Sequence, residues 1–131
     1  MKFIQISFRV IFLVSLVIIS ILAIQEIDLQ FSSVISDKFL HFSCFFYLAL
    51  VGWLARILHK ELSLYVIVLA YGILIEIVQI YIPYRSFEFL DIFADLTGII
   101  AASFLINLLK DLYPDYWIKI FKPYIIHSLK L

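Results

Sequence analysis

Charge is what this chain has least of. Only 15% of its 131 residues are Asp, Glu, Lys or Arg, where a soluble domain averages about 25%. Apolar residues make up 65%. Polar groups are too few to cover a globule in water, so a soluble fold is excluded and lipid is the expected solvent. Glycine and proline number three each, which excludes long flexible linkers. The single cysteine, Cys44, lies in an apolar run and can form neither an internal disulfide nor a multi-thiolate metal site. The formal net charge is zero, so no excess of positive charge exists to hold a nucleic acid. Internal repeats and low-complexity segments are also missing.

What the chain does have is four apolar runs of the length a helix needs to cross a membrane, about 20 residues. They extend from about Phe8 to Ile24, Phe39 to Leu58, Leu62 to Ile82 and Leu90 to Leu109. Their length and the lack of period-two alternation argue against strands. Lys2 precedes the first run and Arg9 begins it, as in a signal peptide. The run is longer than a signal core and no small-x-small cleavage site follows, so an uncleaved helix is expected. The predicted fold is an all-α membrane protein, a bundle of four transmembrane helices over residues 1–109. A short amphipathic tail is predicted over residues 110–131. There Tyr113, Tyr116, Trp117, Ile120, Phe121 and Tyr124 interleave with Lys119 and Lys122, a pattern that suits the headgroup layer as a generic anchor or as a contact for anionic lipids.

Orientation follows the basic residues. Lys2, Arg9, Arg56, Lys60, Lys110, Lys119, Lys122 and Lys130 fall on one side of the four spans, and only Lys38 and Arg85 on the other. Both termini are therefore expected in the cytoplasm of a multi-pass cell-membrane protein. The loops before the second and fourth helices are expected to face outward.

The ionisable residues inside the spans cluster at one depth. Such groups are costly in hydrocarbon and mark function by default. His41 lies about 5 Å below Lys38, Glu76 about 9 Å and Gln79 about 5 Å below the outer end of the third run, and Asp95 about 6 Å inside Asp91. At 100° per residue, Asp37, His41, Leu48, Gly52 and Ala55 share one helix face. Tyr65, Leu69, Gly72, Glu76 and Gln79 share a second, and Asp91, Asp95, Gly98 and Ala102 a third. Facing one another, these stripes would form a polar cup open to the outside, with Gly52, Gly72, Gly98 and Ala102 allowing close helix packing below it. The first helix, uncharged in its run after Arg9, is expected to be a packing wall. Arg85, in the loop over the cup, has the fork geometry to pair with Glu76, Asp91 or Asp95, or to hold a ligand carboxylate or phosphate.

These residues, in this order, resemble the VanZ-like family. The resemblance rests on Asp37-Lys38-x-x-His41-Phe42, Tyr71-Gly72-x-x-x-Glu76-x-x-Gln79, Pro83-x-Arg85-Ser86 and Asp91-x-x-Ala94-Asp95-x-x-Gly98. It spans Asp37 to about Ala102. The family pattern commonly has Asn where Asp95 stands, so this chain adds an ionisable group, and often Gly near Ala102. The resemblance implies a four-helix membrane protein and a family link to low-level resistance toward teicoplanin-type lipoglycopeptide antibiotics. It implies no settled biochemical activity.

Two functional classes follow from the residues. One is a binding protein whose cup takes the polar head of an amphiphile: a membrane lipid, a cell-wall precursor or a lipidated antibiotic. Lys38 and Arg85 would meet acidic groups, while Gln79, Asp91, Asp95 and Glu76 would meet donors. The other is a membrane enzyme acting on such a head group, with His41 as acid or base beside Asp37 or Glu76. Ser43 and Ser86 lie nearby, but no motif marks either as a nucleophile. The structural alternatives are that Asp37 caps the second helix and His41 bonds a neighbouring helix. A divalent metal on Asp37, His41, Glu76, Asp91 and Asp95 is conceivable. With no HExxH-like motif, and with Lys38 and Arg85 opposing a cation, no metal or other cofactor is expected. A transporter is disfavoured by the absence of repeats or paired broken helices. The sequence leaves the oligomeric state open.

Overall fold

The computed structural model describes residues 2–25 and 34–114. It contains four helices, α1 (Lys2–Ile24), α2 (Val34–Ala55), α3 (Glu61–Gln79) and α4 (Phe89–Leu112), and no strand among the described residues. The shortest, α3, has 19 residues and so spans about 28 Å, close to the roughly 30 Å hydrocarbon core. All four are long and apolar enough to cross a bilayer. The chain is an all-α, multi-pass membrane bundle. Large apolar side chains such as Val17, Val66, Phe93 and Phe104 lie exposed on its outer surface, as lipid contact requires.

Helix α2 is the hub. It packs against α1, α3 and, most extensively, α4, while among the described residues the backbones of α1 and α4 are not neighbours. The α2–α4 approach is close because Gly98 has no side chain: a Cβ there would strike the Phe42 carbonyl oxygen and sit 3.0 Å from the Phe46 nitrogen. Phe45, Leu48 and Ile106 are fully buried and form the apolar centre.

Helix ends differ from the apolar runs in instructive ways. α1 begins at Lys2, because the lipid-exposed run extends backward as helix through Arg9. α2 stops at Ala55, three residues before the end of its apolar run at Leu58. Arg56 adopts a left-handed conformation, φ 53°. The Arg56 amide donates to Trp53 O and the Ile57 amide to Gly52 O, the paired bonds that close a helix C-terminus, usually around glycine. Arg9 Nε adds a hydrogen bond to Ala55 O at 3.1 Å. α3 stops at Gln79 rather than near Ile82, since Pro83 restricts the residues before it and the chain turns through 80–84. α4 continues past the expected Leu109 to Leu112.

At the end of the bundle that holds this α2–α3 turn, Trp53 Nε1 donates to Glu61 Oε1 at 3.0 Å. Lys110 pairs with the same oxygen and lies 5.7 Å above the Trp53 ring. This staple ties α2, α3 and α4 together. The amphipathic tail expected over 110–131 lies, beyond Pro114, outside the described residues.

Helix α1 is more than a packing wall. The last carbonyls of a helix have no partner within it, and those of α1 receive donors from α3 and the loop after it. Gln79 Nε2 donates to Ala23 O at 3.0 Å, Tyr84 OH to Ile24 O at 2.7 Å and Arg85 Nη2 to Gln25 O at 3.1 Å. Deeper in the bundle, Tyr71 OH donates to Leu16 O at 2.8 Å and lies 2.8 Å from Ser20 Oγ.

Candidate functional site

The end of the bundle under the 80–88 loop gathers the polar residues of α2, α3 and α4. His41, one turn into α2 from Asp37, points toward α4 and α3. Its Nδ1 lies 2.9 Å from Asp95 Oδ1. Its Nε2 is 3.9 Å from both Glu76 Oε1 and Asp91 Oδ2, too long for a hydrogen bond. One imidazole is thus held between three carboxylates from two other helices. Glu76 and Asp95 are both 0% exposed and Asp91 3%.

Each buried acid is fixed by one of its oxygens. Glu76 Oε2 accepts from the Glu88 backbone N–H at 3.0 Å, which ties α3 to the entry of α4. Asp91 Oδ1 pairs with Lys38 Nζ at 2.5 Å, and the same ammonium reaches Glu88 Oε2 at 2.5 Å. Asp95 Oδ1 holds His41. The other oxygen of Asp95 lies where a Cβ on Gly72 would go. Glycine at position 72 therefore makes room for a carboxylate. Glu76 Oε1 is buried and has no hydrogen-bond partner among the described residues. Leaving a buried acceptor unmatched costs about 1–3 kcal/mol. The floor is apolar: Phe45 stacks parallel to His41 at 6.4 Å, and Tyr71 packs on Phe45 at 6.1 Å.

Of the two groups outside the spans, Glu88 is held below the usual carboxylate range by its hydrogen bond to the Lys38 ammonium. Arg85 faces away from the deep acids. Besides Gln25 O, its guanidinium lies 3.9 Å from Asp37 Oδ1.

The residues singled out from the sequence thus divide into three sets. Asp37, Lys38, His41, Glu76, Asp91 and Asp95 come together. Gln79 is buried but turned to α1, where it caps Ala23, and Arg85 divides between Gln25 and Asp37. Arg85 is not placed as the expected partner of Glu76, Asp91 or Asp95. Gly72 and Gly98 lie directly beneath the cluster. Ala102 is fully buried. Gly52 belongs elsewhere: its missing side chain accommodates Leu64 and Phe12, between α1 and α3. The carboxylate on His41 Nδ1 is Asp95, from another helix. Asp37, the neighbour one turn away, is near but not that partner. Glu88 was not anticipated, because an acid in a loop next to Phe87 and Phe89 carries no spacing signal. Its role in joining Lys38 to Glu76 exists only once the helices pack.

Residues 2–110 match the VanZ/LLP1 family. The chain belongs to that family. The match covers the four-helix bundle up to the last two residues of α4, and includes α1, which the motif resemblance did not reach. In this VanZ/LLP1 protein every residue that carried the resemblance between Asp37 and Gly98 lies at or near the cluster end of α2, α3 and α4 or in the loop between the last two. No curated protein and no solved structure matches the chain.

Proposed function

We propose that the cluster is a recognition site for the polar head group of an amphiphile held in the membrane: a lipid, a cell-wall precursor or a lipoglycopeptide antibiotic. The observation that carries this reading is the pair His41 Nε2 and Glu76 Oε1. They lie 3.9 Å apart, deep in an apolar bundle, and neither makes a hydrogen bond. Two other carboxylate oxygens of the cluster are buried without a hydrogen bond among the described residues, but Asp91 Oδ1 is in ionic contact with Lys38 and Asp95 Oδ2 lies against Gly72. Burying polar capacity in this way is costly, and a head group would use it. Donors of the head group find Glu76 Oε1 and Asp91. Acidic groups find Lys38 and Arg85 at the rim. The distribution of Lys and Arg supports an outward-facing cluster. The link to low-level teicoplanin resistance implied by the family resemblance fits a head-group binder on that side.

A second reading is a membrane enzyme, favoured by the Asp95–His41 bond. A carboxylate on Nδ1 orients the ring and leaves Nε2 to take or give a proton. No hydroxyl among the described residues hydrogen-bonds to Nε2, and Ser86 Oγ faces Glu88 at 3.4 Å. The nucleophile would then be water or a hydroxyl of the substrate.

Lipid mass spectrometry of a deletion strain beside its parent separates the two readings. Accumulation of one precursor identifies an enzyme. An unchanged lipidome, with an amphiphile that co-purifies with the wild type and is lost from both His41→Ala and Glu76→Gln, identifies a binder. If the folded wild type carries no amphiphile and the lipidome is unchanged, both readings fail. Drug susceptibility of the same strain pair tests the resistance link.

A further inference from the structure

We infer that Asp37, His41 and Asp91 form a binding site for a divalent metal ion, with Glu76 as the inner acid beside it. A ligand atom from each of the three lies within 4.8 Å of the other two, so small side-chain rotations would close them on one ion. The mixed imidazole and carboxylate donors suit Zn2+ or Mn2+.

An acidic cluster alone would not justify this. The independent observation is Glu76. Its Oε1 is fully buried, without a hydrogen-bond partner among the described residues, and 3.9 Å from His41 Nε2; Asp95 Oδ2 is buried and unpartnered too, but lies against Gly72. A carboxylate aimed at the free nitrogen of an imidazole calls for something positive near both. The cluster also has the outer support that metal ligands need. Ligating histidines usually donate their other ring N–H to a carboxylate or carbonyl, and His41 Nδ1 is held by Asp95 Oδ1 at 2.9 Å. Asp91 Oδ1 is held by Lys38, which leaves Oδ2 on the His41 side at 3.9 Å from Nε2. Glu76 Oε2 is held by the Glu88 amide.

From the sequence, Lys38 and Arg85 oppose a cation. In the structure both are paired, each with one oxygen of a candidate ligand among its partners. The Lys38 ammonium is shared by Asp91 and Glu88, and Arg85 is engaged with Gln25 O and Asp37. Five acidic side chains, those of Asp37, Glu76, Glu88, Asp91 and Asp95, face these two cations, and those that ionise would balance a divalent ion. The inference rests on the head-group reading and narrows it. An ion at the rim with coordination positions open to the membrane would bind an acidic oxygen, so the head group would be a phosphate or carboxylate.

The test uses the full chain in detergent, without a polyhistidine tag, stripped with chelator and re-equilibrated separately with Zn2+, Mn2+ and Mg2+. Mass spectrometry of the elements should find about one ion of Zn2+ or Mn2+ per chain in the wild type. His41→Ala and Asp91→Asn should lose it. Asp95→Asn, whose amide oxygen can still accept from Nδ1, should bind about 10-fold or more weakly, the usual size of an outer-shell effect. A Co2+-substituted sample should show a visible spectrum of nitrogen and oxygen ligation that changes in Asp95→Asn. If the variants fail to fold, the wild type decides: it must gain thermal stability with Zn2+ or Mn2+ and show that spectrum. A wild type that retains no ion, or a folded His41→Ala that retains as much, overturns the site. An amphiphile that stays bound after chelation overturns the ion's role in recognition while leaving the head-group reading intact. An ion without any amphiphile supports the site and removes that reading.

Discussion

His41 shows how much a single side chain depends on its surroundings. Its place in the sequence suggests Asp37 as its carboxylate, one turn earlier on the same helix. Its bond is to Asp95, 54 residues away. An Asn at position 95, as the family pattern commonly has, could accept the same Nδ1–H, so the contact does not demand a charge. The glycines repeat the lesson. Gly98 and Gly72 look equivalent as small residues on polar stripes, yet one admits the α2 backbone and the other admits the Asp95 carboxylate. Gly98→Leu should destabilise the bundle by about 1–3 kcal/mol, the usual range for overpacking, because a backbone carbonyl cannot rotate away as a side chain can. Reversible unfolding in mixed micelles would measure it, and a variant as stable as the parent would refute the close α2–α4 approach.

Elements are joined here mostly through their ends. Three side chains from one region cap the carbonyls of α1, and Arg9 of α1 caps α2 in return. Gln79→Leu keeps the side-chain bulk but removes the donor to Ala23 O. It should cost about 1 kcal/mol and raise amide hydrogen exchange at the end of α1 more than in α4. Equal exchange at both ends would show that the cap is not holding the helix. The Lys38–Glu88 pair joins α2 to the entry of α4. Glu88 is held below its ordinary carboxylate range by Lys38, so its contribution is present above the unfolded value and is lost as pH falls through the lowered one. The Glu88 side chain is 41% exposed, so the effect is screened and small, under about 1 kcal/mol. Wild type should melt slightly above Glu88→Gln at pH 7, and the gap should close between about pH 5 and 3. A gap that is the same at both extremes would assign the difference to packing.

Across the whole molecule, the bundle separates two jobs by its two ends. One end is stapled by Trp53, Glu61 and Lys110 and carries the tight turn after Arg56. The other collects the acids, His41 and the loop with Arg85. If the basic residues set the orientation, a cysteine at Ser86 should react with an impermeant thiol reagent in intact cells, and one at His59 only after permeabilisation, both in a Cys44→Ala background. The reverse pattern would place the cluster on the cytoplasmic side. Four spans, their helical nature and the family resemblance were legible from composition, run length and spacing, because lipid imposes continuous apolar helices whatever their neighbours are. The layer of polar residues was legible for the same reason, since depth along a helix is a matter of counting. The partner of each polar atom was not. Hydrogen bonds such as His41 to Asp95, Gln79 to Ala23 and Glu76 to the Glu88 amide join positions 12 to 56 residues apart, and helix rotation and distance decide them. The sequence alone therefore determined that most ionisable residues within the spans lie toward one end of a membrane bundle. Only the tertiary structure decided which of them neutralise one another and which, His41 Nε2 and Glu76 Oε1, are left facing each other, because pairing depends on angstrom distances that helical periodicity does not specify.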